Sequence, residues 1–281
     1  MVDKREELVV CVKGLDSEKD EAERLLEWIE ATYLLGASKI QLYTYSVHPR
    51  VEKVIQHYEK TAEGKLERIG LSLPGKAPDI PFIRSAYIWR NRQQKRRNEI
   101  LPYNDCLYRH LHSHRYLLII DTDEIIIPKP PLKNYSQLLR QLEQEAGEHV
   151  AFTAPNAFFF PNLTAHPDPT IPSSLFMLRH NWRSRKISPP GSYGKSLVGI
   201  EKAASVFNHF PLHRQDYGTA RIHYIPPATA LKLHFKTTCP IESRDECPSL
   251  YTDSVQDNSL LALNHPLLQR IPPLLNLIFP T

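Results

Sequence analysis

The alternation of strand and helix patterns in the first half of the chain constrains the fold most strongly. Apolar or alternating runs at 8–12, 39–45, 66–71 and 116–120 have the length and composition of strands. Helical patterns separate them and cover 16–35, 51–58 and 91–112. Strands that alternate with helices favour a parallel sheet covered by helices. The predicted fold class is therefore α/β, with a mixed, mostly parallel sheet flanked by helices.

The second half of the chain has a weaker pattern. A helix is predicted over 134–146 and a strand over 150–153. Later candidate strands are short and lie between prolines, at 174–179, 195–198 and 220–224. Pro272 and Pro273 predict that the tail contains no long helix, because proline lacks an N–H and clashes with the preceding turn. We expect this half to extend the sheet and to form the wall of a cleft.

Composition limits the classes of partner. The 281 residues include 35 Lys and Arg against 31 Asp and Glu, a net charge of +4. That balance predicts no nucleic-acid partner and does not by itself indicate a membrane surface. No run approaches the roughly 18 apolar residues that a membrane span needs, and residues 1–7 lack a signal-peptide pattern. We expect a soluble chain, or a soluble domain whose membrane segment lies outside it.

The four cysteines leave the cellular compartment open. Their wide spacings show no paired metal-binding pattern. Cys239 and Cys247 border a short proline-flanked loop, where a disulfide suited to an oxidising compartment and two free thiols are equally expected. Glycosylation triplets at Asn134 and Asn162 are compatible with a secretory lumen, but such triplets also arise by chance.

Two carboxylates directly follow the apolar strand at 116–120. If the strand continues, Asp121 and Asp123 point to one face and Thr122 points away. The carboxyl ends of strands are where open α/β sheets bind ligands. Paired carboxylates suit Mg²⁺ or Mn²⁺ shared with a phosphate. This pattern predicts a divalent-cation site for a phosphorylated ligand such as a sugar nucleotide; a solvated acidic turn is the alternative.

Several further elements occur together with this Asp box. In chain order they are Cys11-Val-Lys13, Glu27-Trp28-Ile29, Leu35 to Ile40, Asn104 to Leu107, Asp121 to Glu124, Lys195-Ser196 with Glu201-Lys202, His209, and Leu233 to Lys236. Through them the chain resembles glycosyltransferase family 92 over about residues 8–237. The resemblance implies a single domain with a GT-A-like, Rossmann-like fold. It places an extension at 1–7, the domain at 8–240 and a tail at 241–281.

The resemblance also implies a donor site. Asp121, Asp123 and His234 would hold Mn²⁺ or Mg²⁺, which would bridge the two phosphates of a UDP-sugar. Lys13 would lie under the nucleotide, and Asp105 would help to place the donor.

One element departs from the family pattern. The family has a His-Tyr-Arg-like element where this chain has His234, Phe235 and Lys236. The change removes a tyrosine hydroxyl and replaces a forked guanidinium by an ammonium, which cannot make a bidentate phosphate contact.

The resemblance implies inverting transfer of a sugar, galactose by analogy with the family, to a glycan or glycoprotein acceptor. A carboxylate should take the proton of the acceptor hydroxyl. Asp216 is the first candidate in the half expected to bind the acceptor, and Glu201 is the second. Location in the Golgi or another secretory lumen, with a membrane anchor in the full-length protein, follows from the resemblance.

Two alternative functions fit parts of the same pattern. Phosphatases of the haloacid-dehalogenase type also place two aspartates after an apolar strand. They require Thr or Val where this chain has Ile125, and their motif lies near the N-terminus. A catalytically inactive glycan-binding relative is the other alternative, which the altered element at His234 keeps open.

Overall fold

The computed structural model describes residues 4–62, 64–75, 79–165, 167–240 and 244–280. Its strands are β1 (Glu6–Ser17), β2 (Lys39–Val47), β3 (Leu66–Gly70), β4 (His114–Ile119), β5 (Glu124–Pro128), β6 (His149–Ala154), β7 (Asn156–Phe159), β8 (Trp182–Ser184), β9 (Lys195–Gly199), β10 (Ala203–Val206), β11 (Pro211–Arg214), β12 (Ala220–Tyr224), β13 (Ala230–Phe235) and β14 (Ser254–Gln256). Its α-helices are α1 (Ala22–Leu34), α2 (Pro49–Thr61), α3 (Pro81–Ile88), α4 (Arg92–Arg109), α5 (Tyr135–Ala146), α6 (Phe176–Arg179), α7 (Cys247–Thr252) and α8 (Asn264–Ile278).

The central sheet has seven strands in the order β12-β6-β9-β4-β1-β2-β3. Strands β4, β1, β2 and β3 are parallel to one another, and β12 is parallel to β6. Strand β9 lies antiparallel between β4 and β6. This arrangement confirms the predicted fold class, a mixed and mostly parallel sheet flanked by helices.

Apolar and polar residues do not alternate along the run at 8–12 because both faces of β1 are buried. Leu8, Val10 and Val12 pack into the larger core on one face of the sheet. Val9 and Cys11 pack into a second core on the other face, with residues of α4. A strand that is buried on both faces has to be apolar at every position, so β1 lies at the centre of the fold.

A small sheet of β5, β13 and β7 extends from the end of the central one. Antiparallel pairing of β5 with β13 sets Glu124 opposite His234. Parallel pairing of β13 with β7 sets His234 beside Phe158. The last residues of the Asp box and the late histidine are therefore neighbours, although they are far apart in sequence.

All four cysteines form disulfides. Cys239 pairs with Cys247, which decides between the two alternatives that the sequence left open. Cys11 pairs with Cys106 and joins β1 to α4 across 95 residues. No spacing pattern predicts a pairing over that separation.

Two predictions about secondary structure were wrong. The segment 174–179 is not a strand but contains the short helix α6, whose Met177 and Leu178 amides donate to the buried Glu27 carboxylate at 2.8 and 3.0 Å. Helix α8 runs through both tail prolines. Leu267 and Ile271 of α8 are fully buried, and this packing outweighs the cost of about 3 kcal/mol that a proline imposes inside a helix.

Some element boundaries differ from the predicted ones. Strand β1 continues to Ser17 through register irregularities against β2, so α1 begins at Ala22 and not near residue 16. Strand β1 also starts at Glu6, inside the predicted extension. Residues 1–3, 241–243 and 281 of the predicted extension and tail lie outside the described residues. The domain limits at 7 and 240 stay predictions.

Candidate active site

A cleft of about 410 Å³ opens at the carboxyl ends of β1, β2 and β4. Lys13 and Asp16 reach it from β1, Tyr45 from β2, and Asp121 and Asp123 from the segment after β4. This is the edge of the sheet where α/β folds bind ligands. The structure therefore brings three residues predicted to bind the donor, Lys13 and the two aspartates, into one cleft.

The two aspartates converge for a different reason from the predicted one. Strand β4 ends at Ile119, and the segment from Asp121 to Asp123 forms a turn. The Glu124 amide donates to the Asp121 carbonyl at 3.0 Å and closes that turn. Thr122 also lines the cleft instead of pointing away. A tight turn, not the two-residue period of a strand, thus presents the carboxylates.

Lysines from distant parts of the chain contact both aspartates. The Asp121 carboxylate lies 2.9 Å from Lys13 Nζ and 3.3 Å from Lys195 Nζ. Burial alone would raise the pKa of Asp121, but these ammoniums hold it well below its usual range.

The Asp123 carboxylate lies 2.7 Å from Lys236 Nζ. Burial opposes ionisation of Asp123 too, yet His234 and Lys236 lower its pKa. Both aspartates are therefore charged at neutral pH.

A cluster of buried charges lies beneath the Asp box. Glu124 is 2% exposed, and Lys195 and Lys232 are fully buried. Glu124 lies 2.5 Å from Lys232 Nζ and 3.3 Å from Lys195 Nζ. Burial would raise the pKa of Glu124, but the two lysines outweigh it and lower the pKa to about 2. Trp28 Nε1 donates to the Glu124 carbonyl at 2.7 Å. This hydrogen bond links α1 to the backbone of the cluster.

His234 lies between this cluster and the cleft. Its Nδ1 is 3.4 Å from Glu124 and its Nε2 is 3.6 Å from Asp123. The ring stacks on Phe158 with 5.2 Å between centroids. Burial lowers the pKa of His234. Its Nε2 is buried and has no hydrogen-bond partner, so this atom is directed at Asp123 without a bond to it.

The divalent metal that the resemblance implies does not fit the side chains as they are arranged. Asp121 and Asp123 each contact at least one ammonium at short distance. A cation between them would meet the positive charge of Lys13 and Lys236 within a few ångströms. Over the described ranges, no group of three His, Cys, Asp or Glu side chains has the spacing to hold a metal ion. Metal binding here would require the lysines to move.

Aromatic side chains also line the cleft. Tyr45 and Trp89 are among its lining residues, together with Asp16. Arg84 is 2% exposed and donates to Asp16 at 2.7 and 2.9 Å. The buried guanidinium thus anchors Asp16 in place. Such a mixture of ring faces and oriented polar groups is typical of nucleotide sites.

Besides the buried His234, three residues predicted for the site lie outside the cleft. Asp105 accepts hydrogen bonds from the Tyr43 hydroxyl and from Arg109, both at 2.6 Å, on the outer part of α4. The other two, Asp216 and Glu201, are exposed. Asp216 accepts from its own turn, and Glu201 pairs with Arg5. The structure brings neither candidate base to the cleft.

Sequence reasoning missed residues that reach the cleft from α1. Glu21 and Arg24 both line it. Arg24 donates to the Phe235 carbonyl at 3.3 Å, next to Lys236, which contacts Asp123. Glu21 lies 3.9 Å from Arg24, which in turn contacts the residue next to Lys236. Nothing in the helical pattern of α1 distinguishes these two residues from ordinary surface charges.

Comparison with known proteins bears on the identity of this cleft. The profile of glycosyltransferase family 92 matches residues 6–263. The chain belongs to glycosyltransferase family 92. The match covers nearly the whole chain, supports glycosyl transfer as the class of activity, and leaves the phosphatase alternative without support.

Solved structures and curated proteins add little to the family match. S. aureus TarS 1–349 covers 82% of this chain at 9% identity and a TM-score of 0.41, and this chain covers 60% of TarS 1–349. The same protein in complex with UDP-GlcNAc covers 84% at 10% identity and a TM-score of 0.41, again with 60% of that chain covered. A putative glucose-1-phosphate thymidylyltransferase from Bacillus anthracis, in complex with a sucrose, covers 69% at 10% identity and a TM-score of 0.30, with 72% of that chain covered. No curated protein matches.

Proposed function

We propose that this protein transfers a sugar, galactose by analogy with its family, from a UDP-sugar to a glycan or glycoprotein acceptor with inversion. The observation that carries the proposal is the cleft itself. It places carboxylates and lysines at the carboxyl ends of β1 and β4 in a member of glycosyltransferase family 92. Ring faces and charged groups in one cleft suit the base and the diphosphate of a nucleotide sugar.

In this proposal different residues of the cleft bind different parts of the donor. Tyr45 and Trp89 contact the base, and Lys13 and Lys236 face the diphosphate. The acceptor oxygen forms a bond to the anomeric carbon while the bond to the diphosphate oxygen breaks. Lys13 and Lys236 stabilise the negative charge that develops on the departing diphosphate. Asp121 and Asp123 hold these ammoniums in position.

We further propose Glu21 as the group that accepts the proton of the acceptor hydroxyl. It lines the cleft, and its side chain is 47% exposed, with Arg24 3.9 Å away. The other carboxylates of the cleft have closer cationic partners, such as Arg84 for Asp16 and Lys13 for Glu99. Glu21→Gln should lower kcat about 100-fold or more, as the loss of a general base does, while UDP binding stays unchanged.

Glu23→Gln is the matched control for Glu21. Glu23 lies two residues away on the same helix, and its side chain is similarly exposed, 43% against 47%, but it pairs with Arg50. Transfer rates of the two variants, with UDP titrations alongside, check the assignment. Equal kcat values in both variants would remove Glu21 from this role. Asp216→Asn and Glu201→Gln, measured in parallel, test the bases predicted from sequence.

The donor site is tested by calorimetric titration of UDP into the parent chain and into Asp123→Ala. We expect UDP binding by the parent and at least a roughly tenfold weaker Kd in the variant, because Lys236 loses the carboxylate that holds its ammonium in position. Asp253→Ala, whose carboxylate is 60% exposed and pairs with Arg185, is the control. No UDP binding by the folded parent would overturn the proposal.

Dependence on Mn²⁺ or Mg²⁺ stays a prediction from the resemblance. The same titration with added Mn²⁺ and with a chelator tests it. Binding that needs Mn²⁺ would confirm the predicted metal and would imply that Lys13 or Lys236 moves. Binding that the chelator leaves unchanged would mean that the lysines alone neutralise the diphosphate.

A secretory-pathway lumen, the Golgi in particular, is the location that we propose. Two disulfides suit an oxidising compartment, and the family is consistent with it. None of the helices in the described part of the chain is long and apolar enough to cross a bilayer. The anchor expected for the full-length protein remains a proposal from the family resemblance.

A further inference from the structure

A small recess lies at the carboxyl ends of β6 and β12. It has a volume of about 30 Å³, and its lining includes Thr153, Gly194, His209, Phe210 and Tyr224. Strand β12 is parallel to β6, and β9 begins at the same edge because it runs antiparallel to β6 and β4. The recess therefore shares an edge of the sheet with the cleft, and its lining residues are all different from those of the cleft.

Lys195 connects the recess to the Asp box. Its Nζ lies 3.3 Å from the Asp121 carboxylate. The same ammonium donates to Asn208 Oδ1, and Asn208 directly precedes His209 of the recess. Gly194, which precedes Lys195, lines the recess as well. A ligand in the recess would therefore lie beside the Asp box, on the other side of Lys195.

His209 supplies a hydrogen-bond acceptor. Its Nδ1 lies 2.7 Å from the Gly194 carbonyl oxygen, and because a carbonyl only accepts, Nδ1 carries the ring proton. Burial, and then the nearby Lys195, lower the pKa of His209 to about 4, so the ring is neutral at neutral pH. Its Nε2 is then an acceptor, and it makes no hydrogen bond to any other residue that the structure describes.

Aromatic rings border the same recess. Tyr224 is 45% exposed, and Phe210 is half-buried. Gly191 lies next to Tyr224, because a Cβ at Gly191 would be 3.5 Å from the Tyr224 hydroxyl oxygen. The φ of Gly191 is +83°, which other residues rarely adopt. A sugar has a C–H face that packs on an aromatic ring and hydroxyls that need polar partners, so ring faces beside a neutral acceptor suit it.

We propose that the recess binds one sugar residue of the glycan acceptor. Its volume is enough for roughly two water molecules, which matches the carbon and oxygen of one hydroxymethyl group. The hydroxyl of that group donates to His209 Nε2, and the C–H face of the sugar packs on Tyr224.

The assignment to the acceptor rests on the proposed transfer. The donor sugar is bonded directly to the diphosphate, which that proposal places at Lys13 and Lys236 in the cleft. A sugar on the other side of Lys195 therefore belongs to the acceptor.

Binding to printed glycans tests the recess without a transfer measurement. The labelled full chain, with UDP present, is applied to glycans printed at high density, where many weak contacts act together. We expect the parent to bind a subset of the glycans. Tyr224→Ala should weaken this binding about tenfold or more, as the loss of an aromatic anchor does. Tyr224→Phe keeps the ring and should bind much as the parent does.

His209→Asn tests the polar contact. The asparagine amide can still donate to the Gly194 carbonyl, whereas the acceptor Nε2 is lost. We expect glycan binding to weaken roughly three- to tenfold, the effect of one hydrogen bond. Calorimetric titration should give the same Kd for UDP in His209→Asn, in Tyr224→Ala and in the parent.

Tyr217→Ala and His213→Asn are the matched controls. Tyr217 is 79% exposed, and the exposed His213 contacts Ser205; both lie outside the recess. Each control should bind glycans as the parent does.

The outcomes separate this inference from the proposed transfer. Glycan binding by a parent that does not bind UDP would support a glycan site in the recess while overturning the transfer. The recess proposal is overturned if the parent binds no printed glycan or if the controls lose as much binding. It is also overturned if Tyr224→Ala weakens binding of UDP-galactose but not of UDP, which would assign the recess to the donor sugar.

Discussion

Glu124→Gln is expected to lower the free energy of unfolding by about 3–5 kcal/mol, the range seen when one partner of a buried ion pair is removed. Glu124 is 2% exposed and contacts both Lys232 and Lys195, which have no exposed surface. Glutamine keeps the shape but leaves two buried ammoniums without their shared counter-charge. Equilibrium unfolding in urea, followed by tryptophan fluorescence, measures the difference.

A second substitution distinguishes lost charge from lost packing. In Glu124→Gln/Lys232→Met one of the unpaired ammoniums is also removed, and we expect part of the stability to return. Asp253→Asn is the control on the surface, because both Asp253 and its partner Arg185 are 60% exposed. That change should cost less than about 1 kcal/mol. Glu124→Gln with the urea midpoint of the parent would contradict the charged state that we assign to this cluster.

Cys11→Ala/Cys106→Ala is expected to cost about 4–5 kcal/mol of unfolding free energy. The disulfide closes a separation of 95 residues, and in the chain-entropy model a loop of about 100 residues contributes about 4.7 kcal/mol. Both cysteines are buried between β1 and α4. Urea unfolding of the oxidised parent and of the double variant measures this contribution.

The second disulfide provides an internal control. Cys239 and Cys247 are separated by 8 residues, and the same relation assigns that loop only about 2.5 kcal/mol. Cys239→Ala/Cys247→Ala should therefore destabilise the protein by about half as much. Parent protein treated with a reductant should approach the variant that lacks both pairs. An equal cost for the two pairs would show that chain entropy does not set their contributions.

The long disulfide also bears on the cleft. Lys13 follows Cys11 by two residues on β1, and Glu99, on the same helix as Cys106, lies 3.4 Å from Lys13 Nζ. Joining β1 to α4 below this contact holds the Lys13 ammonium against Asp121. Loss of the disulfide should therefore affect donor binding as well as stability.

Much of the fold was predictable because its central strands carry a local signal. The run at 8–12 is apolar at each position since β1 is buried on both faces. Where local propensity misled, a tertiary contact was the cause. Glu27 binds the backbone amides of α6, and burial of Leu267 and Ile271 carries α8 through its prolines.

The sequence by itself determined a mostly parallel sheet, the order of its strands and helices up to β4 except for α3, and the Asp box at the carboxyl end of that strand. These depend on residues close together in the chain, where spacing alone indicates which face a side chain takes. The family resemblance added the prediction that Lys13 lies under the nucleotide.

Only the tertiary structure decided what surrounds the two aspartates. Lys195, Lys232 and Lys236 reach the Asp box and Glu124 beneath it from positions 71 to 113 residues away, and Glu21 reaches the same cleft from α1. Long-range contacts of this kind leave no periodic trace in the sequence, because a surface lysine and a buried, paired one occur in the same local patterns. Burial and proximity, which exist only in the folded chain, set the charges of this site.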